Sequence, residues 1–339
     1  MSKTSDLTVG PIPLHFRNLA IPTAIGMVFT TLYNVVDVYY AGLLNTDAQA
    51  GLAIAFQVFF VLVALGFGLS TAMSALVGNA LGEKSGDATL ISCQGLTFGL
   101  LVSLISTILG YIAYPSLISI VSEPGAYRDA ANSYLSLLLL ATPAFLLAFG
   151  ANGILTAQGD TKSMQYANIA AFFANIVLNP LFIFGFGPFD GIGFNGIALS
   201  TLVSQAGVML FILWRVFKSD VMNGRQQFLP HWPSIKAILS QALPASFAMI
   251  VMMVAGFFVQ YFLKGFGGEA VAAYGIALRI EQLLLLPAFG LTGALLPIAA
   301  QNFGARKFER VREATRFCFK CGAGLMLVGS LILLSLIHI

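Results

Sequence analysis

The stretch Ala20–Gly42, AIPTAIGMVFTTLYNVVDVYYAG, decides the fold. Asp37 is its one charged side chain, and no strict alternation of polar and apolar residues runs through it. As an α-helix rising 1.5 Å per residue, it covers about 34 Å, enough to cross a hydrocarbon layer of about 30 Å. A barrel strand would need only about ten residues and would alternate. The reading is therefore a membrane-spanning helix with an acid inside it.

Working outward, the same kind of segment recurs. Nine apolar stretches are expected at roughly 14–42, 48–81, 88–119, 127–157, 163–187, 195–218, 235–264, 270–303 and 311–337. Over all 339 residues, 58% are hydrophobic and 9% charged, with a mean hydropathy of +0.87. A soluble domain carries about 25% charged residues, so this chain cannot cover a water-facing surface and must sit in lipid. Its net charge of +3 does not suggest a nucleic-acid partner. Met1–Gly10 is polar and shows no cleavable-signal pattern, so the first apolar segment is read as a mature helix. Cys318 and Cys321 have metal or redox spacing, but no second pair completes a site, and no metal site is expected from them.

The basic residues set the orientation. With the N-terminus inside, the inner segments carry Arg17, Lys84, Lys162, Arg215, Lys218, Arg306, Lys307 and Arg310 among others, and the outer loops only Arg128 and Lys264. Such a bias is the positive-inside pattern, and it predicts a cytoplasmic N-terminus.

A shift of 222 residues lays the first two segments on the seventh and eighth without a gap. Pro22 meets Pro244, Met27 meets Met249, Tyr39 meets Tyr261, Phe67-Gly68-Leu69 meets Phe289-Gly290-Leu291, and Gly82 meets Gly304. Six segments separate the copies, so both have the same orientation, as in parallel transporter repeats related by an axis along the membrane normal. The expected organisation is an all-α integral membrane protein with a six-helix N-lobe (10–218), a linker (219–234) and a partial three-helix C-lobe (235–339). The repeat also predicts a full length of roughly 455 residues, and hence that this chain alone does not catalyse coupled efflux.

Acids within a membrane are costly and mark candidate sites. Asp37 and Glu281 are the two, since the other acids fall in loops or termini. Low dielectric favours the neutral form of a carboxyl, so an acid at Asp37 suits a proton or Na⁺ site; the alternative is an acid snorkelling to water near a helix end. Asn175 and Asn179 lie four apart, on one helix face, and Pro180 frees a backbone carbonyl one turn earlier. These groups either bond Asp37 or an ion, or tie helices together. Arg279 and Glu281, two apart, do not face each other and are read as structural or gating charges. Pro22, Pro180 and Pro244 are read as kinks.

Ile21-Pro22-Thr23 through Tyr33-Asn34-Val35-Val36-Asp37, Gly159-Asp160-Thr161-Lys162, Asn179-Pro180, Gly191-x-Gly-x-x-Gly196, Tyr274 to Gln282 and Gln301-Asn302-Phe303-Gly304-Ala305 occur in one order along the chain. In that order they resemble multidrug and toxin extrusion transporters, and most nearly the prokaryotic branch that includes DNA-damage-inducible efflux proteins. The resemblance implies a twelve-helix, two-lobed antiporter in a bacterial or archaeal inner membrane, working as a monomer. Such a protein exports organic cations or other amphipathic compounds in exchange for H⁺ or Na⁺ and needs no cofactor. It implies Asp37 as the coupling acid, with Tyr134, Asn175, Asn179 and Thr201 as its network. Asn at 179, where some relatives carry a second Asp, weakens a high-affinity Na⁺ site. A lipid-linked saccharide flippase of the same superfamily would need several cations within its helices, and only Arg279 is clearly there. An enzyme would need clustered catalytic groups, whereas His15, His231 and His338 lie at ends or in the linker. An inactive truncated fragment is the remaining alternative.

Overall fold

The computed structural model describes residues 5–266 and 268–336, leaving His338 outside; the side chains of Phe189 and of some residues between 257 and 283 are also outside it. Ten α-helices run through the described residues: α1 Ile12–Leu44, α2 Thr46–Glu83, α3 Ala88–Val121, α4 Ala126–Leu138, α5 Thr142–Ala157, α6 Lys162–Phe184, α7 Asn195–Phe217, α8 Trp232–Leu263, α9 Gly268–Gly304 and α10 Phe308–Leu336. By length and composition they supply nine membrane spans among those residues, matching the expected count. The fourth apolar segment is two helices joined by a tight turn, Leu139–Ala141. Pro143 opens α5, and its missing N–H and ring are incompatible with regular α-helical bonding to the carbonyl of residue 139.

Only Asn45 separates α1 from α2. Its extended backbone breaks the helix, and its side chain accepts from the Ala48 N–H at 2.7 Å, capping α2. A two-stranded hairpin, β1 Gly185–Phe186 and β2 Phe189–Asp190, joins α6 to α7 at the same end of the bundle. At the opposite, basic end, Asp160 receives the Ser163 N–H and hydroxyl and the Arg215 guanidinium, the last at 2.7 Å. Burial pushes the Asp160 carboxyl up, but the Ser163 and Arg215 contacts together hold it below its ordinary value. Its stabilising contribution is therefore complete at neutral pH and is lost as the pH falls through the lowered value, below the usual carboxylate range. Asp160→Ala is expected to lower the stability of detergent-solubilised protein by about 1–3 kcal/mol at pH 7, with the difference from wild type shrinking at pH 3. Thermal unfolding at the two pH values checks this, and a pH-independent difference would oppose it.

α2 is the central element and packs against α1, α3, α4, α5, α8 and α9. α1 lies against α6 and α9, and α10 against α9. Residues 219–234 are not a loose tether. Gln94 of α3, fully buried, donates to the carbonyls of Gln227 and Leu229 and accepts from the His231 N–H, while Thr97 donates to the Phe228 carbonyl.

The 222-residue offset reappears in the packing. Gly68 of α2 lies so close to Ala242 and Ser246 of α8 that a Cβ there would overlap the Ser246 hydroxyl. The equivalent Gly290 of α9 lies against Ala20 and Ala24 of α1, the equivalents of 242 and 246. At the basic end, a Cβ on Gly82 would overlap the Gln301 carbonyl oxygen, and one on Gly304 would overlap that of Asn79. Residues 79 and 301 are again equivalent. α2 and α9 thus cross backbone to backbone in a two-fold-like contact, which small residues permit.

Candidate functional site

Asp37 stands on α1 about 10 Å short of its end. It is 0% exposed, so it does not snorkel to water. Its Oδ1 accepts from Asn175 Nδ2 at 2.9 Å and Asn179 Nδ2 at 3.0 Å, and its Oδ2 from the Thr201 hydroxyl at 3.4 Å. The four-residue spacing on α6 does what helix geometry dictates, turning both amides to one face.

The network extends beyond these residues. Asn179 Nδ2 donates to Asn175 Oδ1 at 3.1 Å, and the Ser200 hydroxyl donates to Asn179 Oδ1 at 2.5 Å. Ser204 donates back to the Ser200 carbonyl at 2.6 Å. The Tyr33 hydroxyl, one turn before Asp37, lies 2.8 Å from Ser204 Oγ and donates to Thr201 Oγ1 at 3.3 Å. Tyr33, Ser200 and Ser204 were missed as site residues, although Ser200 and Ser204 are four apart and share a face of α7, the same signal that marked the two asparagines.

Other expected members sit differently. Tyr134 of α4 is fully buried between Phe56 and Phe194, with ring centroids 6.0 and 5.4 Å away, and its hydroxyl adjoins the cluster beside Thr201, near Asp37 and Tyr33, without a well-formed hydrogen bond. The carbonyl freed by Pro180 does not serve Asp37: Ile176 O accepts from the Tyr40 hydroxyl at 3.3 Å. A carbonyl can only accept, and an ionised carboxylate has nothing to donate to it. Pro22, Pro180 and Pro244 lie inside α1, α6 and α8, which continue through them. Glu281 is exposed on α9, far along the chain from this cluster, and the Arg279 side chain lies outside the described residues.

Among the described residues, the hydrogen bonds to Asp37 all come from neutral groups that donate to it. That pattern suits an ionised carboxylate, with charge-assisted bonds offsetting its burial. The amide nitrogens of Asn175 and Asn179, not their oxygens, face the carboxylate, and the two amide oxygens accept from Asn179 and Ser200; a cation at Asp37 would have to turn these amides to gain oxygen ligands. Asp37 is also the sole buried charged side chain among the described residues.

A family model described as MatE matches residues 22–181 and 244–339. Among curated proteins, the FAD transporter of Shewanella oneidensis is 27% identical over 334 residues, covering 94% of this chain and 72% of its own length. The probable multidrug resistance protein YoeA of Bacillus subtilis is 28% identical over 280 residues, covering 80% of this chain and 60% of its own length. The multidrug export protein MepA of Staphylococcus aureus is 28% identical over 305 residues, covering 88% and 66%. The chain thus spans between about three-fifths and three-quarters of these relatives. A multidrug resistance MATE family transporter solved in an outward-facing conformation superimposes with a TM-score of 0.87 at 27% identity, covering 97% of this chain and 74% of that one. A MOP superfamily transporter from Pyrococcus furiosus, reported with a binding pocket of reverse polarity, gives 0.87 and 27%, covering 97% and 73%.

Proposed function

Since the chain belongs to the MatE family of multidrug efflux transporters, we propose that it forms the coupling-site portion of an antiporter that exchanges organic cations or other amphipathic compounds for H⁺ or Na⁺. The observation that carries this is the isolated, buried Asp37 with its neutral hydrogen-bond shell. Water and a cation reaching that carboxylate would neutralise it, and the bonds from Asn175, Asn179 and Thr201 would rearrange. Such a change at the α1–α6–α7 contact biases one conformation over the other, the requirement for coupling.

The charge of the site bears on the substrate. A flavin dinucleotide carries a pyrophosphate and calls for buried cations. The described bundle buries one acid and no cation, which favours cationic cargo over the kind named for the Shewanella relative. The basic end, carrying Lys84, Lys162, Arg215, Lys307 and Arg310, is assigned to the cytoplasm, with the protein as a monomer in the inner membrane. The six-helix and three-helix lobes remain part of this reading.

The test is flux in proteoliposomes holding this chain, beside a version extended to the length of the relatives. An imposed proton or Na⁺ gradient is expected to drive export of a cationic dye by the extended version, and only one of the two ions should do so. Movement of flavin nucleotide but of no cationic dye would overturn the substrate class. Equal coupled transport by the two lengths would overturn the expectation that the second lobe needs more helices.

A further inference from the structure

The segment Ser5–Gly10 crosses the basic end as a strap. The Ser5 N–H donates to the Gln158 carbonyl beyond α5 at 2.9 Å. The rest of the strap is held by the far side of the α2–α9 crossing. Leu7 N donates to Gln301 Oε1 at 2.9 Å, and Leu7 O accepts from Asn302 Nδ2 at 3.0 Å. Thr8 O accepts from Lys307 Nζ at 2.9 Å, and Gly10 O from Arg310 Nη2 at 2.9 Å. Leu7 is 1% exposed, in an apolar cluster with Ile12, Phe16, Ala294, Ile298 and Ala314.

Gln301 joins the two sides. Its buried amide receives the Leu7 N–H and donates to the Ala157 carbonyl at the end of α5, at 2.7 Å. Its equivalent in the repeat, Asn79, donates only to Glu83 within α2. The bridge therefore exists once, where the strap crosses. Beside it a cleft of about 360 Å³ separates the end of α2 from the α9–α10 turn, lined by Asp6 of the strap together with Lys84 and Lys307. The Thr8 hydroxyl bond, aided by the Thr8 N–H and the Lys307 and Lys84 charges, holds the Asp6 carboxyl below its ordinary value against the opposing effect of burial.

We propose that residues 5–10 are a latch that keeps the basic end of the transporter shut, with Gln301 as its positioning residue. Opening on this side parts the α9–α10 turn from the end of α5, and Gln301 must first release Ala157 or the strap. The proposal rests on the antiporter reading above, in which the two sides of the membrane open in turn, but its readout needs neither substrate nor an ion gradient.

In the full chain in lipid nanodiscs, with Cys93, Cys318 and Cys321 replaced by Ser, spin labels at exposed Ser85 and Arg306 report the separation of the α2 and α9 ends by pulsed EPR. The parent protein is expected to show one short distance. Gln301→Ala removes its bonds to Leu7, Ser5 and Ala157 and is expected to raise the ratio of long to short distances roughly tenfold. Lys307→Ala with Arg310→Ala frees the strap from outside the core and is expected to shift it the same way by a smaller factor. Arg312→Ala, which loses only an exposed pair with Glu309, leaves it unchanged. A single short distance in both test variants overturns the latch. If Gln301→Ala fails to fold, the Lys307/Arg310 variant decides alone. A shifted distance alongside ion-driven transport that survives loss of the Asp37 carboxylate would leave the latch standing and remove the coupling reading.

Discussion

Asp37→Asn is expected to reduce ion-driven efflux at least a hundredfold while the protein still inserts and elutes as one species. The substitution keeps the shape of the side chain and removes its charge and proton. The site tolerates the change structurally. Asn175 and Asn179 are amides that can turn, so an amide at 37 can still find donors and acceptors among them, Ser200 and Thr201. Removing a buried charge also removes its desolvation cost, so thermal stability is expected to hold or rise. Coupling has no such substitute, because no other acid is buried among the described residues. The two measurements separate the roles: lost flux with a retained melting temperature is the expected pair. Wild-type dye efflux by the variant would remove Asp37 from the mechanism, and a collapse in stability would make it a structural acid.

Gly82→Leu is expected to cost about 3 kcal/mol or more, the upper end of the overpacking range. The reason is what the side chain meets. At Gly82 the first atoms encountered are the carbonyl of Gln301 and the N–H of Ala305, backbone that cannot rotate away. The helices must separate, and with them the packing of α2 on α9. Gly207→Leu on α7 is the matched control, because nothing lies within 4 Å of a Cβ there. A helix interior favours Leu over Gly, so the control is expected to be neutral or slightly stabilising. Thermal unfolding of the two in one detergent checks the contrast, and equal melting would mean that the crossing is looser than drawn. The Gly304 equivalent is expected to behave like Gly82.

Nine apolar stretches gave nine spans because length and hydropathy alone decide whether a segment crosses lipid. The meeting of Asp37 with Asn175 and Asn179 was legible for a second reason: a few polar groups in an apolar setting have few partners except one another. What stayed hidden depended on geometry between helices. Tyr40 reaching the carbonyl that Pro180 frees requires knowing how α1 lies against α6. Tyr134 entered through family resemblance, which gives a position but not where a hydroxyl points; that hydroxyl lies beside Thr201 at the edge of the cluster. The glycine and prolines of residues 219–234 mark a linker, but they do not show what it packs on; Gln94 of α3, an unremarked residue, ties it down. Pro143 reads from the sequence as a kink, and the structure divides the segment there, at Leu139–Ala141; residue type alone does not distinguish a bent membrane helix from a broken one.

The contact in which Gly82 touches residue 301 and Gly304 touches residue 79 is reciprocal, the defining property of a surface that recognises its own copy. Within one chain, unlike a symmetric homodimer, the two sides of such a contact need not be identical. Ala24 faces Gly290 where Ser246 faces Gly68, and the amide at 301 reaches across to α5 while its counterpart at 79 folds back on its own helix. A homodimer must install every contact twice, and only a single chain can place one bridge on one side of the axis.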